Sequence, residues 1–174
     1  NLMGEAEIAL SRTRTLAEYQ QVLGSSLEEY GRLARLIDSL LFLARAESPE
    51  TRIHHQLLDV RTALESVRAF HEAVAEEQGV DVLCHGEALV HADPVLLPRA
   101  LSNLLSNALH YTPRGGKITL AVHVLEDHTT VIRITDTGSG IAPAHLPRIC
   151  DRFYRADPAR SQCRPGMGLG LAIV

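Results

Sequence analysis

The sequence predicts an α+β protein in two parts. A helical hairpin that pairs with a second copy as a dimeric four-helix bundle comes first; an α/β sandwich, one layer of helices over one mixed sheet, follows. Three observations carry this expectation. A seven-residue apolar repeat runs through residues 16–44, Pro49 interrupts it, and strand-like and helix-like stretches then alternate without a regular β-α-β period.

Residues 1–48 contain no Pro and few Gly, so they read as mostly helix. The polar run S-R-T-R-T at 11–15 makes a poor helix interior and marks a turn between two antiparallel helices. In the second helix Leu16, Leu23, Tyr30, Ile37 and Ala44 repeat at seven-residue spacing, with Leu27, Ala34 and Leu41 in one companion row and Leu33 and Leu40 in another. That stripe is wider than one hairpin can cover, which calls for a second copy; packing on the rest of the chain is the alternative. Ser48-Pro49 ends the helix and sets a boundary between domains at 1–48 and 49–174.

Beyond the boundary, residues 53–57 read as a strand, and Asp59 as the cap of one helix over 60–78 with Val60, Leu64, Val67 and Val74 on its core side. Gly79 stops it. Residues 80–84 and 88–91 read as two short strands around the turn His85-Gly86-Glu87. Asp93-Pro94 starts a second helix that Pro98 is placed to kink and Pro113-Arg114-Gly115-Gly116 ends. Strands at 117–125 and 130–135 pair through the turn Glu126-Asp127-His128. From Asp136 the chain is irregular and glycine-rich until residues 168–174 begin another helix.

Composition excludes several classes. A hydrophobic content of 45% with 22% charged residues is that of an ordinary globular protein. The net charge of −4, with no Lys/Arg run, excludes nucleic acid as a partner. Cys84, Cys150 and Cys163 form no C-x-x-C, so neither a zinc site nor a disulfide framework is expected and the compartment reads as reducing. No apolar run approaches the ~18 residues that span a bilayer, so this stretch is expected to make no membrane contact.

Three stretches carry chemistry. On the helix before Thr112, Leu97, Leu101, Leu104 and Ala108 share one face, and Arg99, Asn103, Asn107 and His110 the opposite one. Asn is a mediocre helix former, so two of them four residues apart mean either a solvated face or a built polar wall. D-T-G-S-G-I at 136–141 follows a strand. Asp136 there can accept from an exocyclic amine while glycines admit a flat ring, as an adenine requires, or the stretch is an ordinary turn. G-M-G-L-G-L-A at 166–172 frees backbone N–H groups at a helix start for a di- or triphosphate, or is a glycine-capped loop. It has neither the G-K-[ST] of a Walker loop nor the context of a dinucleotide fingerprint. Between them, D-R-F-Y-R at 151–155 either folds over a nucleotide or pins the loop to the core.

In this order, N-L-L-S-N-A-L-H-Y-T, D-T-G-S-G-I, D-R-F-Y-R and G-M-G-L-G-L-A-I-V closely resemble the ATP-binding domain of sensor histidine kinases, the Bergerat-type fold shared with gyrase, heat-shock chaperones and MutL. At the front, L-x-R-L-I-D-S-L-L-F-L-A-R-A-E is similar to the second helix of their dimerisation and phosphotransfer domain. N-L-M-G-E-A-E-I-A-L-S-R and A-L-S-N-L-L-S-N-A-L-H-Y-T-P are similar to the heavy-metal, copper and silver, sensor branch.

The resemblance implies ATP and Mg²⁺ as cofactors. Asn107 matches the residue that holds Mg²⁺, and Asn103 the one that contacts phosphate or metal-bound water. Both are the catalytic candidates. Tyr111 matches the residue beside adenine, and Asp136 the adenine-binding aspartate, with Gly138, Gly140 and Ile141 along that wall. Gly166, Gly168 and Gly170, with Leu169 and Leu171, match the phosphate side, and Arg152 and Phe153 the lid region. His110 stands where the family often has Lys or Arg, Asp151 where it usually has Glu, and Pro165 is unusual before the glycines.

The implied function is transfer of the γ-phosphoryl of Mg-ATP to a hairpin histidine and on to an aspartate of a response regulator, by a homodimer that forms the cytoplasmic portion of a bacterial inner-membrane protein. The acceptor motif H-E-x-R-[ST]-P does not occur in these residues, and the family continues past the position of Val174, so a fragment that binds ATP without phosphorylating itself is expected. None of the nine histidines substitutes. His54 and His55 are adjacent on a strand and point to opposite faces, which also rules them out as a metal pair. Rival readings are an ATPase of the gyrase or chaperone kind and a non-enzymatic dimerisation module.

Overall fold

The computed structural model describes residues 15–46, 53–155 and 168–174. The first hairpin helix, the Ser48-Pro49 boundary, Pro165 and Gly166 lie outside the described residues. The chain divides into two compact units, Asn1–Pro49 and Glu50–Val174.

In the first unit, helix α1 (Leu16–Ala46) is a single 31-residue helix. Thr15 caps it: its Oγ1 accepts from the Glu18 backbone N–H at 3.3 Å, while the Glu18 carboxylate accepts from the Thr15 N–H at 2.8 Å. These reciprocal bonds form a capping box, which satisfies donors that helix geometry leaves over. Leu16, Leu23, Leu27, Tyr30, Ile37 and Leu41 along α1 are exposed in the single chain. No helix among the described residues is long and apolar enough to cross a membrane.

The second unit is a mixed α/β fold, with β1 (Gln56–Asp59), α2 (Val60–Phe70), α3 (Glu72–Gln78), β2 (Asp81–His85), β3 (Leu89–Ala92), α4 (Leu96–Tyr111), β4 (Lys117–Val124) and β5 (Thr130–Asp136). Short 3₁₀ turns follow at Leu146–Arg148 and Leu171–Ile173. On β4, Ile118, Leu120 and Val122 alternate as buried residues, as period-2 patterning requires of a strand with one covered face. α2 and α4 cover that face and pack on each other, contributing Val60, Leu64 and Val67 from one and Leu101, Leu105, Ala108 and Leu109 from the other.

Several expectations are corrected. The strands form two sheets where one was expected: an antiparallel β1–β3 pair and a three-stranded β2–β4–β5 sheet, parallel between β2 and β4 and antiparallel between β4 and β5. β2 and β3, read from sequence as neighbours around a turn, do not pair. At the turn Gly86 has φ +78°, and a Cβ there would lie 2.1 Å from the Val122 carbonyl oxygen, so the chain crosses hard against β4 before joining β1. β1 starts at Gln56 because its partner β3 ends opposite it at Ala92; beyond, Asp93 accepts the His54 N–H at 2.9 Å.

The helix read over 60–78 is two helices, broken at His71 (φ −99°, ψ 3°). The break shifts the buried face, so Ala75 is buried and Val74 is exposed. On α4, Leu105 is fully buried and Leu104 only half-buried, because the core lies on the side of Leu101, Leu105, Ala108 and Leu109. Asp93 does start α4, accepting from the N–H groups of Val95 at 2.9 Å and Leu96 at 3.1 Å. Pro98 falls in its first turn, where an N–H has no intrahelical partner to lose. After Gly168, which has φ +67°, the backbone makes only the 3₁₀ turn within the described residues, not the expected start of a helix there.

Candidate nucleotide site

α4 is the base of the site. Its apolar face anchors it to the sheet, so Arg99, Asn103, Asn107 and His110 face away from the core, and all four are half-buried while neighbouring Ser106 is exposed. The face is therefore partly covered rather than freely solvated. Within it the side-chain nitrogen Nδ2 of Asn103 is buried and has no hydrogen-bond partner among the described residues. A buried amide donor left unpaired costs roughly 1–3 kcal/mol, so an acceptor brought by a ligand has something to gain there.

The end of α4 is held tightly. Thr112 is buried and uses both its N–H (2.9 Å) and its Oγ1 (2.7 Å) to donate to the Ala108 carbonyl. Tyr111, half-exposed, stands edge-on to His110 with ring centroids 4.9 Å apart. Against this end comes the loop after β5. Asp136 closes the strand, and its Oδ1 accepts from the Gly138 N–H at 2.8 Å, which leaves Oδ2 for a ligand donor. A Cβ on Gly138 would lie 2.7 Å from both the Tyr111 carbonyl oxygen and Asp136 Oδ1. Only the absence of a side chain lets the loop press onto α4. Thr137 locks the same junction by accepting from the Lys117 N–H at 2.9 Å. Gly140 has φ +68° with open space beside it, and Ile141 is exposed.

The D-R-F-Y-R and glycine stretches meet. The Phe153 N–H donates to the Gly168 carbonyl at 2.8 Å, and a Cβ on Gly168 would lie 2.5 Å from the backbone carbonyl oxygen of Tyr154. Tyr154 is itself bonded to His145 Nδ1 at 2.7 Å and lies under the Arg148 guanidinium at 4.3 Å. Phe153 is exposed. Of the two sequence readings of this segment, Tyr154 shows the pinning, while Phe153 lies outside the core. Leu169 is buried, Leu171 half-buried, and the Leu171–Ile173 turn packs against α4. Among the described residues no atom lies within 4 Å of a Cβ added at Gly170.

Sequence reasoning missed Thr112, Thr137 and the His71–Ser102 contact. A Thr between a helix end and Pro113 is a readable cap signal, whereas nothing local announces a bond between residues 31 apart. An open cleft of about 380 Å³ at the C-terminal end of α4 is lined by Gln78, Leu109, His110, Thr112, Pro113 and Arg114. It takes in His110 but neither asparagine nor Asp136. Among the described residues no three His, Cys, Asp or Glu side chains group as metal ligands. An Asn amide oxygen together with nucleotide phosphates would offer a divalent ion a hard-oxygen set of the kind that suits Mg²⁺.

Residues 92–174, from the end of β3 through the glycine stretch, match the family model of the histidine kinase-, DNA gyrase B-, and HSP90-like ATPase. The chain carries an ATPase domain of that family. Within it, the whole chain is similar to sensor histidine kinases. It is 47% identical over 174 residues to sensor protein IrlS of Burkholderia pseudomallei, covering all of this chain and 37% of that protein. It is 45% identical over 175 residues to sensor histidine kinase CusS of Escherichia coli O6:H1, covering all of this chain and 36% of that protein. The chain thus spans little more than a third of the relatives it matches. Full-length ShkA in complex with AMPPNP superposes with a TM-score of 0.74 at 25% identity, over 99% of this chain and 36% of that one.

Proposed function

We propose that the protein is the core of a sensor histidine kinase of the heavy-metal branch, forming the cytoplasmic part of a bacterial inner-membrane protein. It binds Mg-ATP and passes the γ-phosphoryl to a histidine of the dimerisation helix and then to a response-regulator aspartate. The observation that carries this is the seating of Gly138 on the Tyr111 carbonyl, which sets Asp136 beside the end of the asparagine helix. ShkA, solved with the ATP analogue AMPPNP, and the identity with IrlS and CusS support the same reading.

In this reading Asp136 Oδ2 accepts from the adenine amine, Tyr111 and Ile141 flank the ring, and Gly138 and Gly140 leave it room. Asn103 donates through Nδ2 to a phosphate oxygen, and Asn107 turns its amide oxygen to the metal. Bound Mg²⁺ supplies charge neutralisation on the phosphates. The N–H groups of the 166–171 stretch add donors, so the chain's own work is orientation and electrostatic stabilisation. The exposed stripe of α1 fits a homodimeric bundle.

The test is calorimetric titration of Mg-ATP into wild type, Asn107→Ala and Asp136→Ala. Loss of affinity by at least about tenfold in each is expected, roughly 1.4 kcal/mol; unchanged affinity in both overturns the site. One rival has a specific observation against it. A water-activating ATPase of the gyrase kind calls for a carboxylate on the asparagine helix, and residues 95–110 contain none. A non-enzymatic dimerisation module with a vestigial nucleotide pocket predicts no thermal stabilisation by ATP with Mg²⁺.

A further inference from the structure

We propose that His71 is a positioning residue for the nucleotide face of α4, holding that helix through Ser102, one residue before Asn103. The inference rests on the nucleotide reading of α4 and adds to it a residue on another helix.

The sequence around His71, R-A-F-H-E-A-V, contains neither Gly nor Pro, and nothing in it calls for a break. Yet the helix stops at Phe70 and restarts at Glu72, with the His71 N–H shared between the Val67 carbonyl at 3.3 Å and the Arg68 carbonyl at 3.1 Å. At that break His71 Nε2 lies 2.8 Å from Ser102 Oγ, across 31 residues of sequence. Phe70, itself exposed, meets the imidazole edge-on at 5.1 Å. The ring is half-buried, and burial lowers its pKa, so it is neutral near pH 7 and exchanges a hydrogen bond with a hydroxyl in either tautomer.

What this bond adds to α4 is direction. Leu101, Leu105, Ala108 and Leu109 hold the helix by apolar contact, which is non-directional and tolerates small rotations about the axis. A rotation of about 20° carries a side-chain amide, ~5 Å from the axis, through roughly 2 Å, enough to break a hydrogen bond to a ligand. A hydrogen bond at 2.8 Å on the residue adjoining Asn103 resists that rotation. Among the described residues Asn103 Nδ2 has no partner to correct its aim, so its alignment on a ligand depends on how the helix is held.

The experiment is titration of Mg-ATP into the whole chain as wild type, His71→Ala, Ser102→Ala, the double variant and His71→Gln, with the melting temperature of each without nucleotide. Each Ala variant is expected to raise Kd by about 5- to 20-fold, the double variant by no more than the worse single one, and His71→Gln, whose amide reaches Ser102, by less than about twofold. Binding unchanged in both Ala variants, whatever their melting temperatures, overturns the proposal. So do losses that multiply in the double variant, or no rescue by Gln. Should His71→Ala not fold, Ser102→Ala and His71→Gln decide; should Ser102→Ala not fold, His71→Ala and His71→Gln decide. Wild type that fails to bind Mg-ATP removes the nucleotide reading itself, a result distinct from wild type that binds while the variants match it.

Discussion

At the scale of single residues, room matters as much as chemistry. Gly138 and Gly140 lie two positions apart and are both read from sequence as parts of an adenine wall, yet they do different work. Gly138 needs the space, since a Cβ would meet Tyr111 and Asp136 at 2.7 Å; Gly140 needs the conformation, with φ +68° and nothing near. Gly138→Ala is therefore expected to displace Asp136 and weaken Mg-ATP binding in titration. Gly140→Ala is expected to cost about 1–2 kcal/mol in chemical denaturation through left-handed strain alone. His71 adds a pH dependence. Its folded pKa is below 6.5, so the unfolded chain takes up the proton first as acid is added. Its stabilising contribution is full above pH 6.5 and declines as pH falls below it. The melting-temperature advantage of wild type over His71→Gln is expected to shrink between about pH 7.5 and about pH 5.

At the scale of elements, α4 is specified twice over, by its cap and by its core face. Asp93 is held below the usual carboxylate range by the backbone N–H bonds of Val95 first and His54 next. Its contribution is thus present above pH 3.8 and lost as pH falls through the lower folded value. Asp93→Ala is expected to fray the first turn of α4 and free the segment before β1, seen as a lower melting temperature and faster amide exchange at residues 95–97. Leu105, fully buried, anchors the other side, and Leu105→Ala is expected to cost about 3 kcal/mol in denaturant unfolding. α4 was legible because Asp-Pro at its start, leucines at helical spacing and Pro-Arg-Gly-Gly at its end agree. The choice of Leu105 over Leu104 was not legible, since both lie within a wide apolar arc and only the position of the sheet separates them. The β4–β5 hairpin was legible for a similar reason, because alternation and turn residues are local. β3 was legible as a strand but not as the partner of β1.

At the scale of the molecule, the exposed face of α1 calls for cover. Leu23, Leu27, Tyr30, Ile37 and Leu41 follow the repeat read from sequence and are exposed in one chain. In the dimeric reading, Leu27→Glu with Leu41→Glu is expected to yield monomers by sedimentation equilibrium at concentrations where wild type is a dimer, with the second unit still folded. For the candidate site, sequence supplied the asparagines, Asp136 and the glycines, because their types and order are unusual for structure alone. It did not supply Thr112, Thr137 or His71, whose work is to hold those residues in place.

Periodicity, caps and turn residues were enough to place α1, α4 and most strands, because each is a local preference written over a few residues, while the class of nucleotide-binding domain was read from the resemblance carried by four motifs in order. Tertiary structure alone decided that β2 lies parallel to β4, that the 60–78 helix breaks at His71, and that Gly138 seats Asp136 on the end of α4. A pattern states which face of an element seeks cover, whereas the covering partner is chosen by packing among segments tens of residues apart.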